Sequence, residues 1–268
     1  MKPTLQAAAL AALLAVPAAR ADDHAPAAHA APAAHVDHAA APAAHAGPHW
    51  GYEGEAGPAH WGEANPVCKT GQAQSPINIQ TKGKGGAKNK GLLPIGFRWS
   101  KAKGHLVNNG HTIQVNLDAG NSIDLAGVKY ELLQFHFHTP SEHLVDGKHT
   151  PLEVHFVHKG GDKLAVVGLF IDERGAANAA LAPVFKQLGQ PGDLDVDLPA
   201  ILPAKRQYFT YAGSLTTPPC SEGVTWLVMK ERLHTSQASV REFKKIFPMN
   251  ARPAQAIHAR VIEADDSK

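Results

Sequence analysis

The 268-residue sequence predicts a mainly β domain with a few short helices. Three observations support this prediction. From Trp50 onward the chain contains short runs rich in β-branched and aromatic residues, and Gly, Pro and Asn-containing turn signals separate them. Only two later stretches have a helical pattern. No repeat of useful length occurs in this part of the chain.

The predicted strands are short, and turn-forming pairs such as Asn109-Gly110 and Asp146-Gly147 lie between them. The clearest runs cover residues 112–117, 131–138, 153–158, 164–171, 208–212 and 224–230. One helix is predicted within residues 176–188. A second begins near Ser236 as its N-cap, places Val240, Phe243 and Phe247 on one face and ends before Pro248.

The N-terminal region has the composition of an export signal followed by a tail. Residues 1–21 combine a basic Lys2, an apolar stretch too short to span a bilayer and a small-x-small cleavage site ending at Ala21. This predicts an exported protein, periplasmic or secreted, that is cleaved near Ala21 and has no membrane anchor. Residues 22–47 contain almost only Ala, Pro and His and are predicted to be disordered. The folded domain is then predicted over residues 48–264.

The histidines of that tail leave two interpretations open. They could bind zinc, nickel or copper loosely, or they could have no specific role in a solubilising spacer. These residues are His24, His29, His35, His38 and His45.

Composition excludes some classes of function. The chain carries 26 basic and 24 acidic residues, and no basic run is interleaved with aromatic residues, so no nucleic-acid partner is expected. With 44% apolar residues it can form one large domain with a sizeable core. Two cysteines, Cys68 and Cys220, are expected to pair in an oxidising compartment, with two buried thiols as the alternative.

The strongest functional signal is the run from Gln134 to His138. Alternate residues of a strand face the same side, so Gln134, His136 and His138 share one face while two phenylalanines fill the core on the other. The two imidazoles lie about 7 Å apart along the strand, close enough to share a metal ion.

A second run, Glu153 to Val157, supplies a third imidazole. Glu153, His155 and Val157 share a face, and the Asp146-Gly147 turn can bring this strand alongside the first. Three histidines leave one tetrahedral position open, as in catalytic rather than structural zinc sites. Gln134 and Glu153 are placed to hold the other nitrogens of His136 and His155, whereas His138 needs a backbone carbonyl or another side chain.

Other zinc-enzyme patterns are absent. The sequence has no His-Glu-x-x-His, no Cys-x-x-Cys and no Gly-x-Ser-x-Gly. The remaining alternative is that the histidines are surface residues between core aromatics. That alternative gives no structural reason for Gln134 and Glu153.

These motifs and several others resemble the α-class carbonic anhydrases, specifically the exported bacterial branch. The resemblance covers about Trp50 to Arg260 and rests on motifs in the family's order. They are residues 49–52, 74–79, 108–111, 134–138, 141–143, 153–158, 213–220, 224–226 and 250–253. It implies a large, twisted, mostly antiparallel central sheet with peripheral short helices.

The resemblance also implies a reaction and a cofactor. The reaction is the reversible hydration of CO2 to bicarbonate and a proton, by attack of hydroxide bound to Zn2+. His136, His138 and His155 match the zinc ligands. Thr216 matches the threonine that accepts a hydrogen bond from the hydroxide, and Glu142 matches the glutamate to which that threonine donates.

Further positions match the family's substrate pocket and proton path. Val157, Val166, Leu215, Thr217, Val224 and Trp226 match the pocket, although each apolar one is also explained as ordinary core. His111 matches the proton shuttle, with an exposed loop histidine as the alternative and His105 and the tail histidines as weaker candidates. Tyr52 and Asn108 match the ordered-solvent network, and Cys68 and Cys220 match the branch's disulfide.

The resemblance implies inhibition by sulfonamides and anions, and a homodimer by analogy with the branch. Two other functions stay open on the sequence. One is a non-catalytic periplasmic zinc-binding or storage protein that uses the tail. The other is a structural or adhesion module that kept the fold without activity.

Overall fold

The computed structural model describes residues 50–82, 87–89 and 91–265. The predicted signal peptide and His-rich tail lie outside the described residues. The strands are β1 (Asn78–Ile79), β2 (Lys88–Asn89), β3 (Gly96–Arg98), β4 (Lys101–Asn108), β5 (Ile113–Leu117), β6 (Ser122–Leu125), β7 (Val128–His138), β8 (Leu144–Val145), β9 (Leu152–Gly160), β10 (Lys163–Asp172), β11 (Gly192–Asp197), β12 (Tyr208–Ser214), β13 (Glu222–Met229), β14 (Leu233–His234) and β15 (Glu263–Ala264).

The helices are short and lie between strands. They are α1 (Trp61–Ala64), α2 (Val67–Thr70), α3 (Ala182–Lys186), α4 (Leu198–Ile201) and α5 (Gln237–Ile246), with 3-10 turns at Gly54–Ala56 and Ala179–Leu181. Helix α5 begins as predicted, because the Ser236 side chain accepts a hydrogen bond from the Ser239 N–H. The helix predicted within 176–188 is a 3-10 turn capped by Asn178 and continued by α3.

Within the described residues, thirteen strands form one sheet whose main path runs β11-β4-β5-β7-β9-β10-β13-β12-β15-β2. Most pairings are antiparallel. The exceptions are β10 with β13 and β14, and β15 with β2. The prediction of a large, mostly antiparallel sheet with peripheral helices is confirmed. No helix in the described part of the chain is long and apolar enough to cross a membrane.

Strand β7 changes the face on which its apolar residues lie. Leu132 is buried opposite His158, but two residues later Gln134 pairs with Val157 and faces the cleft. A bulge at Leu133, which is 43% exposed, allows this change because it puts two β7 residues against one on β9. Phe135 and Phe137 can then enter the core while the histidines face the other way.

The connection between β7 and β9 is longer than the simple hairpin predicted from Asp146-Gly147. These two residues do form a tight turn, with φ of 48° and 77°, and Val145 and Lys148 bond to each other across it. The turn, however, belongs to a longer connecting segment in which β8 pairs in parallel with β1. This pairing holds β1 beside the segment that carries Glu142.

Candidate metal centre

Three imidazoles converge at the middle of the sheet. His136 on β7 and His155 on β9 are direct cross-strand partners, and His138 lies two residues further along β7. One ring nitrogen from each lies within 4.8 Å of the others. His138 and His155 are each only 1% exposed. The three rings therefore converge as the alternation of side chains along the two strands predicts.

Each ring has its second nitrogen held by an oxygen acceptor. His136 Nδ1 lies 2.8 Å from Gln134 Oε1, and His155 Nε2 lies 2.8 Å from Glu153 Oε1. His138 Nδ1 lies 2.7 Å from the backbone oxygen of Asn250, which meets the expected need for a carbonyl. Because these oxygens accept, we assign the ring proton to the bonded nitrogen in each case. The other nitrogen of each ring then keeps its lone pair.

Burial favours the neutral form of all three rings. Desolvation lowers the pKa of His136 well below its usual range, lowers that of His138 to about 4 and lowers that of His155. Burial acts to raise the pKa of Glu153, but electrostatic attraction to His143 and His155 and the hydrogen bonds from their rings outweigh it, so the pKa lies well below normal. The cluster is therefore a set of neutral imidazoles beside an ionised carboxylate.

These residues fit a zinc ion. His138 Nε2 is fully buried and has no hydrogen-bond partner within the described chain. An unpaired buried nitrogen is costly, and a metal ion would remove that cost. Three neutral imidazole donors also match the ligand set of catalytic zinc sites.

Glu142 lies next to the candidate ligand nitrogens of His138 and His155 and not at the surface. Its Oε1 accepts the Arg252 backbone N–H at 2.9 Å, and its Oε2 lies 3.5 Å from His138 Nε2. Burial raises its pKa to about 7, against the opposing effects of His155, the Arg252 N–H and the nearby Thr216 hydroxyl. The structure thus brings Glu142 and Thr216 together beside the three histidines.

A cleft of about 180 Å³ opens above the histidines and has two unlike walls. The predicted residues Val157, Val166, Leu215 and Trp226 form an apolar wall, with Thr216 and Thr217 beside it. The opposite wall is polar and includes residues that the sequence analysis did not select, namely Asn109, Thr112 and Gln114.

Two predicted residues do not line the cleft. Val224 is buried in the apolar cluster behind the wall and does not line the cleft. Asn108 also does not line it. Instead, its side-chain oxygen accepts the Gly110 N–H at 3.0 Å and supports the turn before His111.

His111 and Tyr52 both line the cleft. The imidazole of His111 stacks on the indole of Trp50, with ring centroids 3.7 Å apart. Burial raises the pKa of Tyr52, so its phenol stays protonated. The sequence motif contained Trp50, but the pattern alone did not indicate this stacking.

Comparison with known proteins identifies the family. The model of the family described as eukaryotic-type carbonic anhydrase matches residues 56–266 of this chain. The chain belongs to this carbonic anhydrase family. The carbonic anhydrase of Pectobacterium atrosepticum is 41% identical over 227 residues, covering 80% of this chain and 90% of the relative. That of Nostoc sp. is 43% identical over 228 residues, covering 80% and 86%.

A solved structure supports the same family membership. The α-carbonic anhydrase of Thermovibrio ammonificans in complex with the inhibitor sulfanilamide has a TM-score of 0.75 and 40% sequence identity. The matched region covers 80% of this chain and 98% of the chain in that structure. The predicted α-carbonic anhydrase fold and enzyme class are confirmed.

The carbonic anhydrase fold adds a buried hydrogen-bonded chain behind His155. Glu153 accepts from the His143 backbone N–H at 2.9 Å and contacts His143 Nδ1 at 2.8 Å. His143 Nε2 lies 2.6 Å from the Tyr211 hydroxyl, which in turn lies 2.9 Å from Ser75 Oγ. His143, Glu153 and His155 are close enough to suggest a second metal group, but hydrogen bonds already occupy both His143 nitrogens.

Cys68 and Cys220 form the predicted disulfide, which joins α2 to the loop that carries Thr216 and Thr217. Arg252 connects the same region to Glu142. Its buried guanidinium donates to the Cys68 and Ser75 carbonyls, at 2.7 Å each, while its own backbone N–H binds Glu142. Desolvation lowers the pKa of Arg252 to about 10, so it stays charged at neutral pH.

Proposed function

We propose that this protein catalyses the reversible hydration of carbon dioxide to bicarbonate and a proton, with a zinc ion held by His136, His138 and His155. One observation carries the proposal. Each of the three rings has one nitrogen held by an oxygen acceptor, and one nitrogen of each ring lies within 4.8 Å of the others. Membership of the carbonic anhydrase family supports the reaction.

The three histidines would hold a zinc ion, which would acidify water and supply hydroxide at neutral pH, a behaviour for which carbonic anhydrase is the standard example. The chain's own groups would orient the attacking oxygen. In its ionised form Glu142 accepts the Thr216 hydroxyl proton and fixes its direction. Thr216 then offers a lone pair to the attacking oxygen and restricts its orientation.

The two cleft walls suit the two reaction partners. Carbon dioxide is small and apolar, so the wall of Val157, Val166, Leu215 and Trp226, with Thr217 at its edge, is its proposed site. Val224 supports this wall from behind.

The polar wall suits water and the released proton. His111 is the proposed proton shuttle, because imidazole exchanges protons near neutral pH. Tyr52 and Asn108 are proposed to keep solvent ordered on this side, Tyr52 from within the cleft and Asn108 through the turn before His111.

Sulfonamides and small anions are proposed to inhibit at the same site. The Thermovibrio ammonificans relative is a complex with sulfanilamide. In this chain an ionised sulfonamide nitrogen would bind the metal, and the Thr216 backbone amide would donate to the inhibitor.

Export to the periplasm or beyond is proposed from residues 1–21, and residues 48–264 are proposed as the catalytic domain. The Cys68–Cys220 disulfide supports an oxidising compartment. A homodimer stays a prediction.

Stopped-flow hydration of carbon dioxide tests the proposed reaction. The zinc-loaded protein should be active and lose activity with a chelator, and Thr216→Val should lower kcat/KM about 100-fold with one zinc per chain still bound. Thr210→Val on β12 is a matched control that should leave activity unchanged. A storage protein would instead bind several weak metals and tolerate Thr216→Val. A structural module would show no hydration, and either result would overturn the proposal.

A further inference from the structure

His105 lies outside the cleft but on the same sheet face as the metal centre. His105 on β4 pairs across to Asn116 on β5, and Asn116 pairs across to Gln134 on β7. Directly paired residues point to the same side of a sheet, so the three side chains form one row. Two strand spacings separate the ends of the row, which is about 10 Å. Gln134 at its inner end binds His136.

The surface between His105 and the cleft is lined by amides. Gln114 Nε2 donates to Asn116 Oδ1 at 2.7 Å, and Asn109 Nδ2 donates to Gln114 Oε1 at 3.4 Å. Gln114 and Gln134 both line the cleft. Side-chain amides offer donors and acceptors to water, so this strip of the sheet favours an ordered water layer running out of the cleft.

His105 is held in a form that can accept a proton. Its side chain is 53% exposed, and its Nδ1 lies 2.6 Å from Asp193 Oδ1 on the edge strand β11. The carboxylate accepts, so Nδ1 carries the proton and Nε2 keeps its lone pair. The next two pairs along the same edge are Lys103 with Asp195 and Lys101 with Asp197. Both of these pairs have a lysine in place of the imidazole.

We propose that His105, supported by Asp193, is a second proton acceptor for the reaction, reached along the amide strip independently of His111. This inference rests on the proposed carbon dioxide hydration. The proton released in the reaction passes through water to His105 Nε2 and gives an imidazolium. A buffer base then removes that proton from Nε2, which restores the neutral ring while Nδ1 stays bonded to Asp193.

The two histidines differ in their surroundings. His111 is stacked on Trp50, and both residues line the cleft. His105 lies on the outer part of the sheet, between β5 and the edge strand. Loss of one therefore leaves the other in place, and the contribution of His105 should be clearest when His111 is removed.

The test compares zinc-loaded His111→Ala with His111→Ala/His105→Gln in carbon dioxide hydration at low buffer concentration. Proton removal limits kcat under these conditions, whereas kcat/KM reports the step at carbon dioxide. The second substitution should lower kcat at least about twofold and leave kcat/KM unchanged. High buffer concentration should abolish the difference, since buffer then accepts the proton directly.

Lys103→Gln in the same background is the matched control. It removes a charge from the neighbouring edge pair without removing an imidazole, and it should leave kcat unchanged at low buffer. Equal kcat values for His111→Ala and His111→Ala/His105→Gln at low buffer concentration would overturn the inference. A loss of kcat/KM, or an equal loss in the Lys103 variant, would also overturn it and assign His105 a structural role. Absence of hydration in the parent would instead refute the proposed function itself.

Discussion

Trp50 lies flat against His111, with an 8° angle between the ring planes. Trp50 is itself held edge-to-face by Tyr52 and Trp61, with centroid distances of 5.7 and 5.4 Å. Three aromatic residues near the start of the described chain therefore restrict the orientation of the proposed shuttle.

Trp50→Ala should lower kcat at low buffer about fivefold without changing kcat/KM, because a less restricted imidazole spends less time in reach of the proton. Stopped-flow assays at several buffer concentrations measure this. Trp50→Phe keeps a flat ring and should retain most of the turnover. Unchanged low-buffer kcat in the alanine variant would show that the stacking has no role in proton transfer.

Glu153→Gln should weaken zinc binding about 10- to 100-fold, because His155 loses the charged acceptor that orients its ring. Competition with a fluorescent zinc chelator measures the affinity. Glu242→Gln is the control, since this exposed carboxylate pairs only with Lys245 on α5 in the described structure. Equal affinity in the Glu153 and control variants would argue against the orienting role.

Reduction of the Cys68–Cys220 disulfide should lower both stability and turnover. The bond closes a loop with a sequence separation of 152, for which chain entropy gives an upper limit of about 5 kcal/mol. The Cys220 N–H also donates to the Thr217 carbonyl at 2.8 Å, so reduction loosens the Thr216 loop.

Urea unfolding followed by tryptophan fluorescence, with and without reductant, measures the change in stability. A Cys68→Ser/Cys220→Ser protein should already have the lower midpoint and should not respond to reductant. Coincident unfolding curves for the oxidised and reduced wild-type protein would contradict the prediction.

His158 should make the protein less stable in mild acid. It lies in the core near Trp99, and burial lowers its pKa to about 4. The folded state therefore holds fewer protons on this group than the unfolded state, in which the pKa is about 6.5. Its contribution is fully present above pH 6.5 and is lost as the pH falls towards 4, by about 3 kcal/mol in total.

His158→Leu should flatten the decline in unfolding free energy between pH 6.5 and 5, measured by urea titrations at each pH. His258→Gln, at an exposed site, is the comparison variant. A decline of the same steepness in His158→Leu and wild type would show that other groups cause the acid sensitivity.

The alternation of side chains along a strand was sufficient to predict the histidine triad, because this pattern involves only residues that are close together in the sequence. His136, His138 and His155 lie on two adjacent strands, and Gln134 and Glu153 are each two residues from the ring that they hold. The same alternation placed Phe135 and Phe137 in the core.

The groups that sequence reasoning missed act over long separations or depend on irregular geometry. Asn250 holds His138 from 112 residues away, and Tyr211 reaches His143 from 68 residues away. The bulge at Leu133 decides which face Gln134 occupies, yet no turn residue or glycine marks it in the sequence. Such contacts depend on the whole sheet and have no periodic signal.

The three candidate ligands span only 20 residues, on the neighbouring strands β7 and β9, although the carbonyl that fixes His138 arrives almost 100 residues later. A growing chain therefore exposes all three imidazoles long before it can align them. We expect metal capture to occur in two stages during biogenesis, with weak and exchangeable binding by the β7–β9 pair and tight retention only after the segment that contains Asn250 has packed against it.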